Sequence, residues 1–156
     1  MRLHRLALNC HLLCLRTAAA WLLALSLSSL TGCGSGDPFS YAQVSGKITY
    51  DDDTLIPENL ILKFHPQSAP LDTKTYPRFG SAAVDKTTGT FDTVTSHKFG
   101  DGLVRGKHKV TVLATDLRPL PPNLVPREYS DPDKTPLVVD TAEQPFVLRV
   151  KKPSKR

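Results

Sequence analysis

Residues 107–115 read KHKVTVLAT, and their pattern decides the fold. Val110, Val112 and Ala114 alternate with Lys109 and Thr111. Side chains of an extended chain return to the same face every second residue, so the stretch reads as a strand with one buried face. The same signature recurs on either side. In NLILKFH (59–65), Leu60, Leu62 and Phe64 oppose Lys63 and His65. In PFVLRVKK (145–152), Phe146, Leu148 and Val150 oppose Val147, Arg149 and Lys151. In AQVSGKITY (42–50), Val44, Gly46, Ile48 and Tyr50 oppose Gln43, Ser45, Lys47 and Thr49. Weaker runs lie at FGSAAVD (79–85), TFDTVTSH (90–97) and PLVVDT (136–141). DKTTGT (85–90) joins the first two of these as a predicted hairpin, with Gly89 free to take a positive φ.

No segment carries sustained helical periodicity, and no internal repeat is present. Seven short strands predict an all-β chain: a seven-stranded antiparallel β-sandwich of immunoglobulin-like type over residues 42–150. Residues 116–137, DLRPLPPNLVPREYSDPDKTPL, break the rhythm with six of the 13 prolines. Proline cannot donate to a ladder, so the segment is expected to be a crossing connection. Tyr129 and Leu124 are the residues expected to pin it to the sandwich edge.

The N-terminal region reads differently. Arg2, Arg5 and Arg16 form a basic leader, followed by the uncharged run TAAAWLLALSLSSL at 17–30. That length fits the helical core of a signal peptide and falls short of the roughly 20 apolar residues a spanning helix needs. A signal anchor is the competing reading, because the uncharged stretch continues to Gly36. The run ends in Leu30-Thr31-Gly32-Cys33, and Cys33 is the last of three cysteines. This order of features resembles a bacterial lipoprotein signal with its lipobox. The resemblance implies acylation of Cys33 and removal of residues 1–32, which carry Cys10 and Cys14. Residues 33–41 then serve as lipidated cysteine and linker, and 151–156 as a basic tail, expected to be solvated or to contact something distal to the tether. The domain itself holds no cysteine, so its stability must come from packing without disulfides.

Charge excludes one class of function. The chain carries 20 basic and 15 acidic groups, but without the three leader arginines the balance is 17 to 15. Without KKPSKR as well, acids outnumber bases. No basic stripe with interleaved aromatics is present, so nucleic acid is not an expected partner.

Five blocks together resemble the carboxypeptidase regulatory-like, or transthyretin-like, domain of small bacterial lipoproteins. They are VSGKITYDD (44–52), LKFHP (62–66), TGTFDT (88–93), GDGLVRGKHKVTVLA (100–114) and VPREYSDPDKTPL (125–137). The resemblance implies a transthyretin-like sandwich, with His108 standing where such domains commonly carry an aromatic. It supplies no catalytic or ligand residues.

The residues themselves offer little site chemistry. His65, His97 and His108 lack metal-ligand spacing and read as ordinary strand-end histidines. Asp51-Asp52-Asp53 lacks the alternation and bend glycine of a calcium loop, and Asp131 and Asp133 also read as turn residues. The expectation is therefore a non-enzyme without cofactor or metal, held at the membrane of the cell envelope through acylated Cys33. It would present a binding or structural module to an envelope protein or glycan. A carbohydrate-binding module and an accessory domain of an envelope enzyme are the alternatives. The sole tryptophan, Trp21, lies in the leader, which leaves Tyr76, Phe99 and Tyr129 as loop aromatics for partner contact.

Overall fold

The computed structural model describes residues 37–154. The leader, the lipobox residues Leu30, Thr31 and Gly32, Cys33 and the final two residues lie outside the described residues. None of the described helices is long and apolar enough to cross a membrane.

The described chain is all-β, with nine strands and one 3-10 turn among the described residues. The strands are β1 (Tyr41–Ala42), β2 (Gly46–Tyr50), β3 (Leu60–Pro66), β4 (Gly80–Val84), β5 (Thr90–Phe91), β6 (Leu103–Val104), β7 (Lys107–Ala114), β8 (Val138–Asp140) and β9 (Phe146–Val150). Arg127–Ser130 forms the 3-10 turn. A four-stranded sheet runs β4-β3-β7-β8, a three-stranded sheet runs β5-β2-β9, and β1 pairs with β6.

Alternation sets the faces as expected. Leu60, Leu62 and Phe64 of β3 are buried, as are Val110 and Val112 of β7 and Phe146, Leu148 and Val150 of β9. Phe64 carries the contact between the two main sheets. Its ring stands 5.8 Å from that of Phe91 and 6.3 Å from that of Phe146, both tilted. Tilted pairs let the positive edge of one ring approach the negative face of another.

Four expectations change. The strands number nine, because β1 and β6 form an extra short ladder. The architecture is not wholly antiparallel: β2 and β9 pair in parallel, from Gly46↔Phe146 to Tyr50↔Val150. Alternation reports which face a residue occupies but is the same for either strand direction, so it does not reveal this. The 85–90 turn forms, with Gly89 at φ 72 and its N–H donating to Asp85 O at 2.7 Å. The strands it joins, however, diverge into different sheets: β4 pairs with β3, while β5 pairs with β2. Residues 90–97 accordingly form no single strand. Phe91 lies in one sheet, and Thr95 bridges Ser81 on the edge of the other.

The fourth change concerns the tail. Lys152 is bound to the turn after β2, its Nζ 2.6 Å from the Asp52 carboxylate and donating to Thr54 Oγ1 at 2.9 Å. Its backbone N–H reaches Asp51 Oδ1 at 3.1 Å, and Arg149 pairs with Asp53 at 2.7 Å. The Lys152 ammonium and the Thr54 hydroxyl hold the Asp52 carboxyl down to about 2. The Asp52 and Asp53 carboxylates thus face cations of their own chain, while that of Asp51 accepts a backbone N–H. The parallel pairing places these cations beside the turn, since β2 and β9 end together.

The proline-rich connection is pinned as expected. The Tyr50 hydroxyl donates to Leu124 O at 2.9 Å, and the Tyr129 hydroxyl accepts the Lys151 N–H at 3.0 Å. Leu120, Val125 and Tyr129 are buried, which closes that end of the core.

Candidate docking face

The register of the four-stranded sheet puts Ile61, Lys63 and His65 of β3 on its outer face. They stand beside Ser81 and Ala83 of β4, and beside Lys109, Thr111 and Leu113 of β7. Thr111 and Leu113 are nonetheless buried. β7 is a central strand, and long neighbouring side chains roof it. The His65 Nε2 atom sits 3.0 Å from Thr111 Oγ1. Lys63 extends over the ring of Phe79, its Nζ 3.8 Å from the centroid, a cation–π contact on a ring that is 55% exposed.

Beside the β4 edge, Phe99 is 90% exposed. It borders a shallow depression with Ile61, Ser81, Ala83 and Thr93. The loop that holds it is tightly built. The Asp101 carboxylate accepts backbone N–H groups of Ser96 (2.9 Å), His97 (3.0 Å) and Lys98 (2.8 Å). Burial works to raise this carboxyl, but those donors outweigh it and hold the group below its usual range. Ser96 Oγ donates to Gly102 O at 2.7 Å, and Gly100 N–H donates to Thr95 Oγ1 at 3.1 Å. Gln43 Nε2 ties Gly100 O to the segment between β1 and β2 at 2.8 Å.

Of the three loop aromatics singled out from sequence, Phe99 and Tyr76 are exposed, while Tyr129 is a buried plug and cannot meet a partner. Alternation did not single out Phe79, because it begins a weak strand and so read as part of the ladder. Its position at the sheet edge, next to Lys63, is a tertiary fact.

His108 lies near the start of β7 and in the core. It is 1% exposed, on the inner face with Val110. Its Nε2 lies 2.7 Å from Val104 O, and since a carbonyl only accepts, Nε2 carries the proton. Nδ1 has no hydrogen-bond partner. A second proton would add a buried donor without an acceptor. Burial pushes His108 below 6.5, against the opposing pull of the Val104 carbonyl and Asp140. His65 is likewise lowered, by burial and then by Lys63 and His108.

Below pH 6.5 the unfolded chain therefore binds protons that the folded chain refuses, so stability declines as the pH drops below that value and is insensitive to these groups above it. The slope is at most about 1.4 kcal/mol per pH unit for each histidine. Melting curves from pH 7.5 to 5 should show the decline, and His108→Phe should make it shallower. An unchanged slope in that variant would show that His108 is not responsible.

Among the described residues, no group of three or more His, Cys, Asp or Glu side chains is arranged to hold a metal ion. Comparison with family models, with curated proteins and with solved structures finds no match.

Proposed function

We propose that this chain is an exported bacterial lipoprotein whose transthyretin-like or immunoglobulin-like sandwich acts at the cell envelope as a non-catalytic binding or structural module. The observation that carries the reading is the place of Cys33. It follows the apolar run at 17–30 by three residues, it is the last cysteine, and the first strand begins only eight residues later, at Tyr41. Two sheets facing across one aromatic core are in keeping with the sandwich resemblance. The histidines support a non-catalytic role, since His108 is committed to the core and His65 to Thr111. A thioether-linked diacylglycerol with or without an N-acyl chain would give two or three chains, enough for stable anchoring where one is marginal.

Two measurements test the reading. Intact mass should show a protein beginning at Cys33 and carrying acyl groups. Cys33→Ser should move it from the membrane fraction to the soluble one, while deletion of residues 151–156 should leave retention unchanged. A Cys33→Ser protein that stays with membranes as before would exclude the thioether anchor.

A further inference from the structure

We infer that the β4-edge aromatics Phe99 and Phe79 dock the domain onto the lipid surface to which Cys33 tethers it, an inference that rests on the anchor proposed above. Three observations meet here. The first is reach. Tyr41 lies eight residue steps after Cys33, so the first strand cannot stand more than about 28 Å from the acylated residue. The second is position. Gly100, next to Phe99, is hydrogen-bonded to Gln43, two residues into the domain from the tether. Ser40 O accepts the Arg105 N–H at 3.0 Å, which fixes the tether's exit to the same region. The tether therefore delivers this loop, and not the Asp51–Asp53 turn, toward the bilayer.

The third observation is chemistry. A loop braced by Asp101, Thr95 and Ser96 holds out a phenylalanine that contributes nothing to the core. Phe79 lies along the same edge under the Lys63 ammonium. Aromatic rings beside lysines are the composition that settles at a membrane interface, with rings among the upper acyl chains and ammonium groups among anionic headgroups. Lys98 and Lys63 supply the cations. Of the acids nearby, Asp101 is consumed by backbone donors, and Asp92 is the one carboxylate that borders the depression. The triplet Asp51–Asp53 lies at the other end of β2, where Asp52 pairs with Lys152 and Asp53 with Arg149.

A short tether holds the domain at an effective concentration of about millimolar, so even a weak contact is substantially occupied. A protein partner would use the same exposed rings, but nothing about the tether would favour placing them at its root.

The test uses the mature acylated protein, which begins at Cys33 and so lacks Trp21, with Phe99→Trp supplying its one tryptophan. It is reconstituted into vesicles of phosphatidylethanolamine and phosphatidylglycerol, with Phe79→Trp as a second reporter. Both sites are exposed, and unchanged melting confirms the fold. Docking predicts blue-shifted emission that loses most of its intensity when lipids brominated near the headgroup are included. Water-like, unquenched emission from a protein that is acylated and floats with the vesicles overturns the docking and leaves the anchor standing. A protein without acyl chains that fails to float removes the anchor, and the docking with it. A shift seen in native envelopes but absent from lipid vesicles overturns lipid docking in favour of a protein partner.

Discussion

Phe64→Ala is expected to destabilise the domain by about 3–5 kcal/mol, because a fully buried aromatic leaves a cavity that the sheets cannot collapse to fill. Phe64 is 0% exposed and is the ring on β3 that meets Phe91 and Phe146 from the opposing sheet. Its removal takes away both ring contacts and the apolar burial at once. Total stabilities of about 5–15 kcal/mol mean that such a loss approaches unfolding. Urea titration should show a lower midpoint with an unchanged slope, the mark of lost stability without altered compactness. Phe64→Leu, which keeps most of the volume, should recover much of the difference. A loss below about 1 kcal/mol for Phe64→Ala, the size of an ordinary surface change, would mean that the sheets are not joined through this ring.

Gly102→Ala is the second large effect. Gly102 has φ 90, a conformation that L side chains rarely adopt, and a Cβ there would collide with the Ala42 carbonyl oxygen. It would also lie 2.6 Å from Ala42 C and 2.9 Å from Gln43 Cα. These are backbone atoms, which cannot swing aside. Strain of about 1–3 kcal/mol combines with overpacking of similar size, giving roughly 2–6 kcal/mol. Gly106 supplies the control, since it has φ 122 but nothing within 4 Å of a Cβ. Gly106→Ala should show the strain alone. Equal losses in the two variants would contradict the close approach. Hydrogen exchange at Tyr41–Gln43 should rise in Gly102→Ala alone, because β1 must lift from β6 to admit the methyl.

Much of this architecture could be read from the chain, and the reasons for success and failure are specific. The inward sets Leu60-Leu62-Phe64, Val110-Val112 and Phe146-Leu148-Val150 were legible because a two-residue period is a local property. So was the pinning of the proline-rich connection by Tyr129 and Leu124, since apolar residues in a segment without a ladder need somewhere to pack. Strand direction was not legible, nor was the divergence of β4 and β5, because both depend on partners distant in sequence. The burial of Thr111 and Leu113 follows from the central place of β7, which only topology supplies.

The candidate face divides the same way. Phe99 stood out as a loop aromatic, and Asp101 three residues after Lys98 is a local bracing signal. Phe79 under Lys63 joins positions 16 residues apart, so no local pattern exposed it. His108 alternated with core residues, which placed it on the face of Val110, where it is buried. The Nε2–H that donates to the Val104 carbonyl depends on the turn between β6 and β7, which residue types alone do not reveal.

The parallel seam between β2 and β9 has a consequence for how the molecule comes into being. Gly46 must wait for Phe146, a hundred residues downstream, before its sheet is complete. A chain emerging with its amino terminus first can zip β3, β4 and β7 while β2 still presents an unmet row of amides and carbonyls. Such distant pairing slows acquisition of the native state and lengthens the interval in which that row can capture a neighbouring copy. Premature termination before residue 146 would therefore strand a nearly finished product that cannot mature.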